Sequence, residues 1–144
     1  MEFTFTEEQT LLRDTVDRFV RDALPFEKRQ AIIDHYPGYS DDHWHTLAEL
    51  GVLALPVSED SGGLGGGGVE TMLVMEQMGK SLLPSPYVPS ILLGASILDR
   101  LANSDMQKEV LESVVGGEKK LAFAYAERGA GFSISNVSTM AITN

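Results

Sequence analysis

The stretch PVSEDSGGLGGGGVET, Pro56 to Thr71, carries six glycines within seven positions, Gly62 to Gly68, interrupted only by Leu64. A tract of this kind is either a cradle for phosphate or a tight connection between helices. It contains the spacing G-x-G-x-x-G at Gly63, Gly65 and Gly68, behind an apolar run and ahead of a helix-forming segment. A dinucleotide site expects a ribose-binding acid about 20 residues further on. No Asp or Glu occurs between Glu76 and Asp99. The lysine of a phosphate-binding loop is missing too, because Gly68 or Val69 stands at its position. Glu59, Asp60 and Glu70 surround the tract with negative charge, which opposes a bound phosphate. The spacing therefore reads as a structural helix–helix connection in which glycine supplies backbone freedom.

Upstream, Thr6 and Gln9 form a capping-box pattern, and Glu7 and Glu8 sit where a helix start favours negative charge. Leu12, Val16, Phe19, Val20 and Ala23 follow at helical spacing as far as Pro25. Phe26 to His35 reads as a short second helix, stopped by Tyr36-Pro37-Gly38. Ser40-Asp41-Asp42 opens a third, with Trp44, Leu47, Ala48 and Gly51 along one face. Gly51 to Asp60 is an apolar run leading into the glycines. Downstream, Val69 to Leu83 and Val88 to Ala102 both repeat apolar residues at helical spacing, separated by a proline-rich break. Ser104 and Gln107 suggest another capping box, for a helix that Val110, Leu111, Val114 and Val115 carry to Gly116-Gly117. About six helices between residues 6 and 115, with short connections, suit a helical bundle.

The pattern changes at Leu121. LAFAYA, Leu121 to Ala126, is aromatic and lacks helical period, so it predicts a strand. The Gly-, Ser-, Thr- and Asn-rich remainder suggests a loop and a further β-segment. A helical block followed by the beginning of something β-rich is expected to be part of a larger architecture.

Composition narrows the function classes. The 144 residues carry a net charge of −10, which repels nucleic acid and anionic lipid, so neither a nucleic-acid partner nor a membrane surface is expected. The longest uncharged segment, Ser81 to Leu98, contains Pro84, Pro86 and Pro89 and predicts a buried core helix with an irregular entry. There is no cysteine, hence no disulfide or thiolate chemistry, and the acidic N-terminus lacks the pattern of a secretory signal. A cytoplasmic location is the expectation. His43 and His45, two apart, point to different faces of a helix and cannot grip one metal; His35 is isolated. Ser133 and Ser135 lack a nucleophile-elbow context and any downstream histidine. Met72, Met75 and Met78, at spacing three, read as core filler. The residues alone describe an acidic helical domain without a self-contained catalytic constellation.

The order of signals resembles the N-terminal part of the acyl-CoA dehydrogenase family. FTEEQTLLRDTVDRFV (Phe5 to Val20), LAELGVLALPVSEDSGGLGG (Leu47 to Gly66), VMEQMGKS (Val74 to Ser81) and GEKKLAFAYAERGAG (Gly117 to Gly131) carry the likeness. The AFAYAE wording is similar to small-subunit-type members such as those of pimeloyl-CoA dehydrogenase. The resemblance implies a mainly α chain: an N-terminal helical bundle domain over residues 1–120, and the truncated start of a middle β-domain over 121–144. It implies FAD as cofactor, an acyl-CoA substrate dehydrogenated between its α and β carbons, and an electron-transfer flavoprotein as electron acceptor. Homo- or hetero-oligomers are expected. The family's usual catalytic glutamate lies in a C-terminal domain, so no catalytic residue is expected here and these residues are expected to be inactive alone.

The family's Thr-Glu-Pro-x-Ala-Gly-Ser-Asp segment, which touches flavin and substrate, corresponds to Ala126 through Ser133. The resemblance assigns Phe123, Tyr125, Ala126, Gly131 and Phe132 to cofactor binding, and Tyr87, Val88, Ile91 and Ala95 to the acyl-chain pocket. Two departures matter. Ala126 and Phe132 replace a threonine and a serine whose hydroxyls are thereby lost, leaving only backbone groups to bond a flavin. A catalytically silent subunit that serves assembly is the competing reading, and a helical interaction domain without flavin is a third.

Overall fold

The computed structural model describes residues 4–101, 105–131 and 133–142. Helix α1 spans Glu7–Ala23. Its capping box forms as the sequence predicts: the Gln9 N–H donates to Thr6 Oγ1 at 3.1 Å and the Thr6 N–H to Gln9 Oε1 at 3.0 Å. Helix α2 (Phe26–Asp34) buries no residue fully. Helix α3 (Asp41–Glu49) is capped by Ser40, whose Oγ accepts from the His43 N–H, and buries Trp44 and Leu47.

Apart from a 3-10 turn at Glu59–Ser61, the chain between α3 and the glycine tract is not helical, yet it lies in the centre of the molecule. Val52, Leu53 and Val57 are wholly buried and Leu55 nearly so. Irregular backbone at such depth needs partners for its carbonyls, and the glycine tract supplies them. Leu64 donates to Ala54 O (2.9 Å), Gly66 to Leu55 O (2.7 Å), Gly65 to Val57 O (2.8 Å) and Gly63 to Ser58 O (2.9 Å). The approach is close enough that a Cβ on Gly63 would lie 2.1 Å from the Val57 carbonyl oxygen. Gly62 donates to Glu59 O and Gly67 to Glu70 Oε2. Every N–H from Gly62 to Gly67 is thus committed within the protein, so the tract offers no nest to a phosphate.

Helix α4 (Gly68–Ser81) starts from this tract and makes the most extensive helix pair of the fold, against α1. Glu70 joins their beginnings: while one carboxylate oxygen caps Gly67, the other accepts from Gln9 Nε2 at 2.7 Å. The Gln9 amide foremost, then backbone donors, hold Glu70 below the usual carboxylate range. The methionines of α4 divide: Met78 is buried, whereas Met72 is about half exposed, because a spacing of three drifts across the face.

Three helices end alike. Val52 N–H reaches Leu47 O after α3, Leu83 reaches Met78 O after α4, and Glu118 reaches Ser113 O after α6 (Asp105–Val115), each around a left-handed residue. Gly51 and Gly117 hold that conformation without strain; in α4 it falls to Leu82, with φ +52°.

The expected Val88–Ala102 helix is two pieces, a π-helical stretch Val88–Ala95 running into helix α5 (Ser96–Leu101). Ala102 and Ser104 lie outside the described residues. Asp99 on α5 accepts from Ser58 N (3.1 Å) and Ser58 Oγ (2.7 Å), tying α5 to the entrance of the glycine tract. Its partial burial raises the carboxyl pKa, but hydrogen bonds from Ser61 and Ser58 outweigh this and the net direction is down. Among the described residues no helix is long and apolar enough to cross a membrane.

The predicted strand at Leu121–Ala126 does not form here: no strand occurs among the described residues. A strand needs a ladder partner, and this segment pairs its backbone with no other strand.

Replacing Gly63 by alanine should cost about 3 kcal/mol or more, since the added methyl must displace a main-chain carbonyl and break neighbouring hydrogen bonds. Urea unfolding followed by far-ultraviolet circular dichroism checks this. Alanine at Gly68, where an added Cβ meets nothing within 4 Å, serves as the control.

Candidate functional site

The segment that follows α6 carries the residues assigned to cofactor binding, and two anchors place it. Lys120 Nζ pairs with Asp41 Oδ1 at 2.8 Å and lies over the rings of Tyr39 and Trp44, at 5.3 and 5.5 Å from their centroids. The ion pair, first through its hydrogen bond and then through Coulomb attraction, lowers the Asp41 pKa. One residue on, the Leu121 N–H donates to Ser90 Oγ at 2.9 Å, and Ser90 is wholly buried in the π-helical stretch. Leu121 also packs over Gly94, where a Cβ would meet the Leu121 Cβ at 2.7 Å. The chain is therefore pressed on the π-helical stretch at two points one turn apart.

Beyond the anchors the side chains open to solvent. Phe123 and Tyr125 are about half exposed and face each other with ring centroids 5.7 Å apart and planes tilted by 33°. Tyr125, Ala126 and Gly131 come together with Ala130, Ser133 and Ile134 around a cavity of about 270 Å³. Phe132 lies outside the described residues. Among the described residues the N–H groups of Ala126 and Gly131 donate to no backbone carbonyl, and both residues are exposed. A second cavity of about 280 Å³ is lined by Leu121–Phe123 together with Gly94, Ile97, Leu98 and Leu101.

The residues assigned to the acyl pocket fall differently. Tyr87, Ile91 and Ala95 are buried in the core, with the Tyr87 hydroxyl 3.4 Å from Val52 O and its pKa raised by burial. Their side chains belong to the core cluster, and Tyr87 also lines a small cavity at its edge. Val88 is 40% exposed and shares a cavity of about 190 Å³ with Tyr87, Met75, Met78 and Leu83.

A further cavity, about 530 Å³, lies between α1 and α3 and was not legible in the sequence. Arg18, Phe19 and Asp22 from α1 face His43, Thr46 and Leu50 across it. The His43 ring meets Phe19 edge-on at 5.7 Å; its Nδ1 is buried without a partner, and burial pushes its pKa down. His45 turns away, with Nδ1 2.8 Å from Asp41 O. The lining residues come from two helices, so no local spacing could announce them.

With this geometry in hand, comparison with known proteins gives the class. The profile of the acyl-CoA dehydrogenase N-terminal domain matches residues 6–118, and the chain belongs to that family. Acyl-CoA dehydrogenase IpdE2 of Mycolicibacterium smegmatis is 34% identical over 115 residues, covering 79% of this chain and 35% of that protein. Acyl-CoA dehydrogenase FadE27 of Mycobacterium tuberculosis is 32% identical over 133 residues, 91% of this chain and 35% of its own. Among solved structures, the ChsE4-ChsE5 complex from Mycobacterium tuberculosis superposes with a TM-score of 0.76 at 29% identity, covering 85% of this chain and 34% of that one. The chain spans about a third of the length of the curated relatives it matches.

Ser90→Ala should release the Leu121 amide from its buried acceptor. The expected result is a stability loss of about 1–2 kcal/mol, with hydrogen exchange at Leu121 accelerated more than at the α1 and α4 amides, which follow only the global loss. Exchange at residue resolution measures it.

Proposed function

We propose that the protein carrying this domain removes hydrogens from the α and β carbons of an acyl-CoA thioester with FAD as cofactor, and that the residues described here act as a scaffold, not as the catalytic apparatus. In this reading residues 1–120 are its helical domain and 121–144 the start of a middle β-domain. The observation that carries the reading is the anchored segment after α6, which holds two exposed aromatic rings, Phe123 and Tyr125, the second at the wall of a small cavity that Ala126 and Gly131 also line.

These residues fit one wall of a flavin site. Phe123 and Tyr125 offer apolar faces to a planar ring, and the N–H groups of Ala126 and Gly131 offer donors to its polar edge. The methyl of Ala126 offers none, so the main chain does this part of the work. A cavity of about 270 Å³ is below the range of roughly 300–1,000 Å³ typical of complete ligand sites, which is consistent with a single wall. When bound, the flavin supplies a hydride acceptor. Val88 is the acyl-facing position of its quartet, with Tyr87, Ile91 and Ala95 fixing it from the core. Electrons then leave to an electron-transfer flavoprotein. The missing hydroxyl at Ala126 favours a second reading, a subunit that assembles with a catalytically competent partner.

The absorption spectrum of the purified full-length protein distinguishes the two. A bound, bleachable flavin on addition of acyl-CoA thioesters is the expected result. A colourless protein that takes up no added FAD would leave the assembly role. Exposed Phe123, Tyr125, Ile134, Val137, Met140 and Ile142 are too many apolar side chains to remain in water. Residues 1–144 alone should accordingly self-associate, and light scattering showing a monomer at high concentration would contradict this.

A further inference from the structure

Glu127 stands at the start of the loop that forms the cavity just described. Its carboxylate is fully engaged: one oxygen accepts from the Ser138 N–H (2.7 Å) and the Ser138 hydroxyl, the other from the Thr139 N–H (3.1 Å) and Thr139 hydroxyl (2.6 Å). Two sequence-distant residues are thus drawn onto one side chain, closing the eleven-residue step from Glu127 to Ser138. Among the described residues little else holds that closure. Ile134 and Val137 are 76% and 65% exposed, so the loop buries almost no apolar surface of its own. Its internal bonds are local, Ala130 N–H to Glu127 O at 3.2 Å and Ser133 N–H to Ala130 O at 3.0 Å. Gly129 and Gly131, with φ of +89° and +59°, turn the chain between these bonds, and neither position is crowded by a neighbour.

We infer that Glu127 is a positioning residue: its carboxylate clamps Ser138 and Thr139, and this clamp, not packing, fixes the loop whose residues line the Tyr125–Ile134 cavity. Charge is what suits it to the role, since hydrogen bonds to an ionised acceptor are roughly twice as strong as neutral ones. The Ser138 hydroxyl foremost, then the Thr139 hydroxyl and the two amides, hold the Glu127 pKa at about 2, so the carboxylate remains ionised at neutral pH. The part of the inference that concerns flavin rests on the function proposed above: a fixed loop presents the Gly131 N–H to a ligand at no ordering cost, whereas an open loop must be ordered on binding.

Two readouts on the full-length protein separate the clamp from the flavin reading. Hydrogen–deuterium exchange without added FAD reports the clamp. Glu127→Ala should speed exchange at the hydrogen-bonded amides of Ser138, Thr139, Ala130 and Ser133 by roughly tenfold, the loss of a charge-assisted bond, while amides of α1 and α4 stay protected and show that the fold is intact. Glu127→Gln retains one acceptor oxygen but sets a donor against the Ser138 N–H, so it should fall between wild type and alanine. Titration with FAD, read by absorbance, should weaken in the same order. Exchange unchanged in Glu127→Ala would overturn the clamp. Exchange that rises while FAD affinity stays at the wild-type value would overturn the positioning role. A wild-type protein that binds no FAD would overturn the flavin reading and the positioning role with it, with the exchange data still deciding the clamp.

Discussion

The fold depends on satisfying the buried backbone of Val52–Ser58. A connection this deep carries polar groups that neither a helix nor a sheet absorbs, and leaving them without partners would cost more than its apolar side chains return. The main chain of the glycine tract serves the carbonyls of Ala54, Leu55, Val57 and Ser58, and three of those four donors are glycines. Gly63 and Gly66, whose absent Cβ atoms would meet Val57 and Leu55, satisfy the steric demand of that approach. The tract consequently spends on its own neighbour the donors that a nucleotide-binding loop would keep for phosphate.

From this centre the rest is placed by a few long-range polar ties. Asp99 holds α5 to Ser58, Glu70 holds α1 to α4, and Ser90 holds the chain that leaves α6. Each tie uses a side chain at a point where backbone donors emerge unpaired, so the polar groups that order the domain also finish its hydrogen bonding. Lys120 differs. Its ammonium lies over two aromatic faces and against a carboxylate, so it secures the exit from the helical domain by charge.

Local chemistry was legible in the sequence wherever it is local in the structure. The Thr6–Gln9 box, the Ser40 cap and the stop at Gly117 involve residues a few positions apart, and the local sequence announces them; Gly51, read as part of the α3 face, instead lies beyond that helix in the left-handed conformation, with φ +73°. The acidic residues around the glycines correctly argued against phosphate. What could not be read is whatever depends on contact across the chain. Glu70 looks like an ordinary first-turn acid until Gln9 lies beside it. Tyr87, Ile91 and Ala95 repeat apolar spacing equally well for a core or for a ligand pocket, and only burial separates the two. Leu121–Ala126 has the composition of a strand, but strand composition becomes a strand only beside another strand. The cavity at His43 belongs to no motif, since helices distant in sequence share it.

The π-helical stretch also sets a direction. Its hydrogen bonds span five residues, as between the Ser96 N–H and Ile91 O, so it winds more loosely than an α-helix. Each residue in it therefore turns through a smaller angle, and the heading of everything downstream is counted from its length. Ile91 must point into the core while Asp99, eight positions later, must point at Ser58. In a regular helix those two positions would be related by a different rotation. The stretch acts as a gear between them: deletion of a single residue from it would leave every other side chain and every helix, yet turn the α5 carboxylate away from the loop it holds.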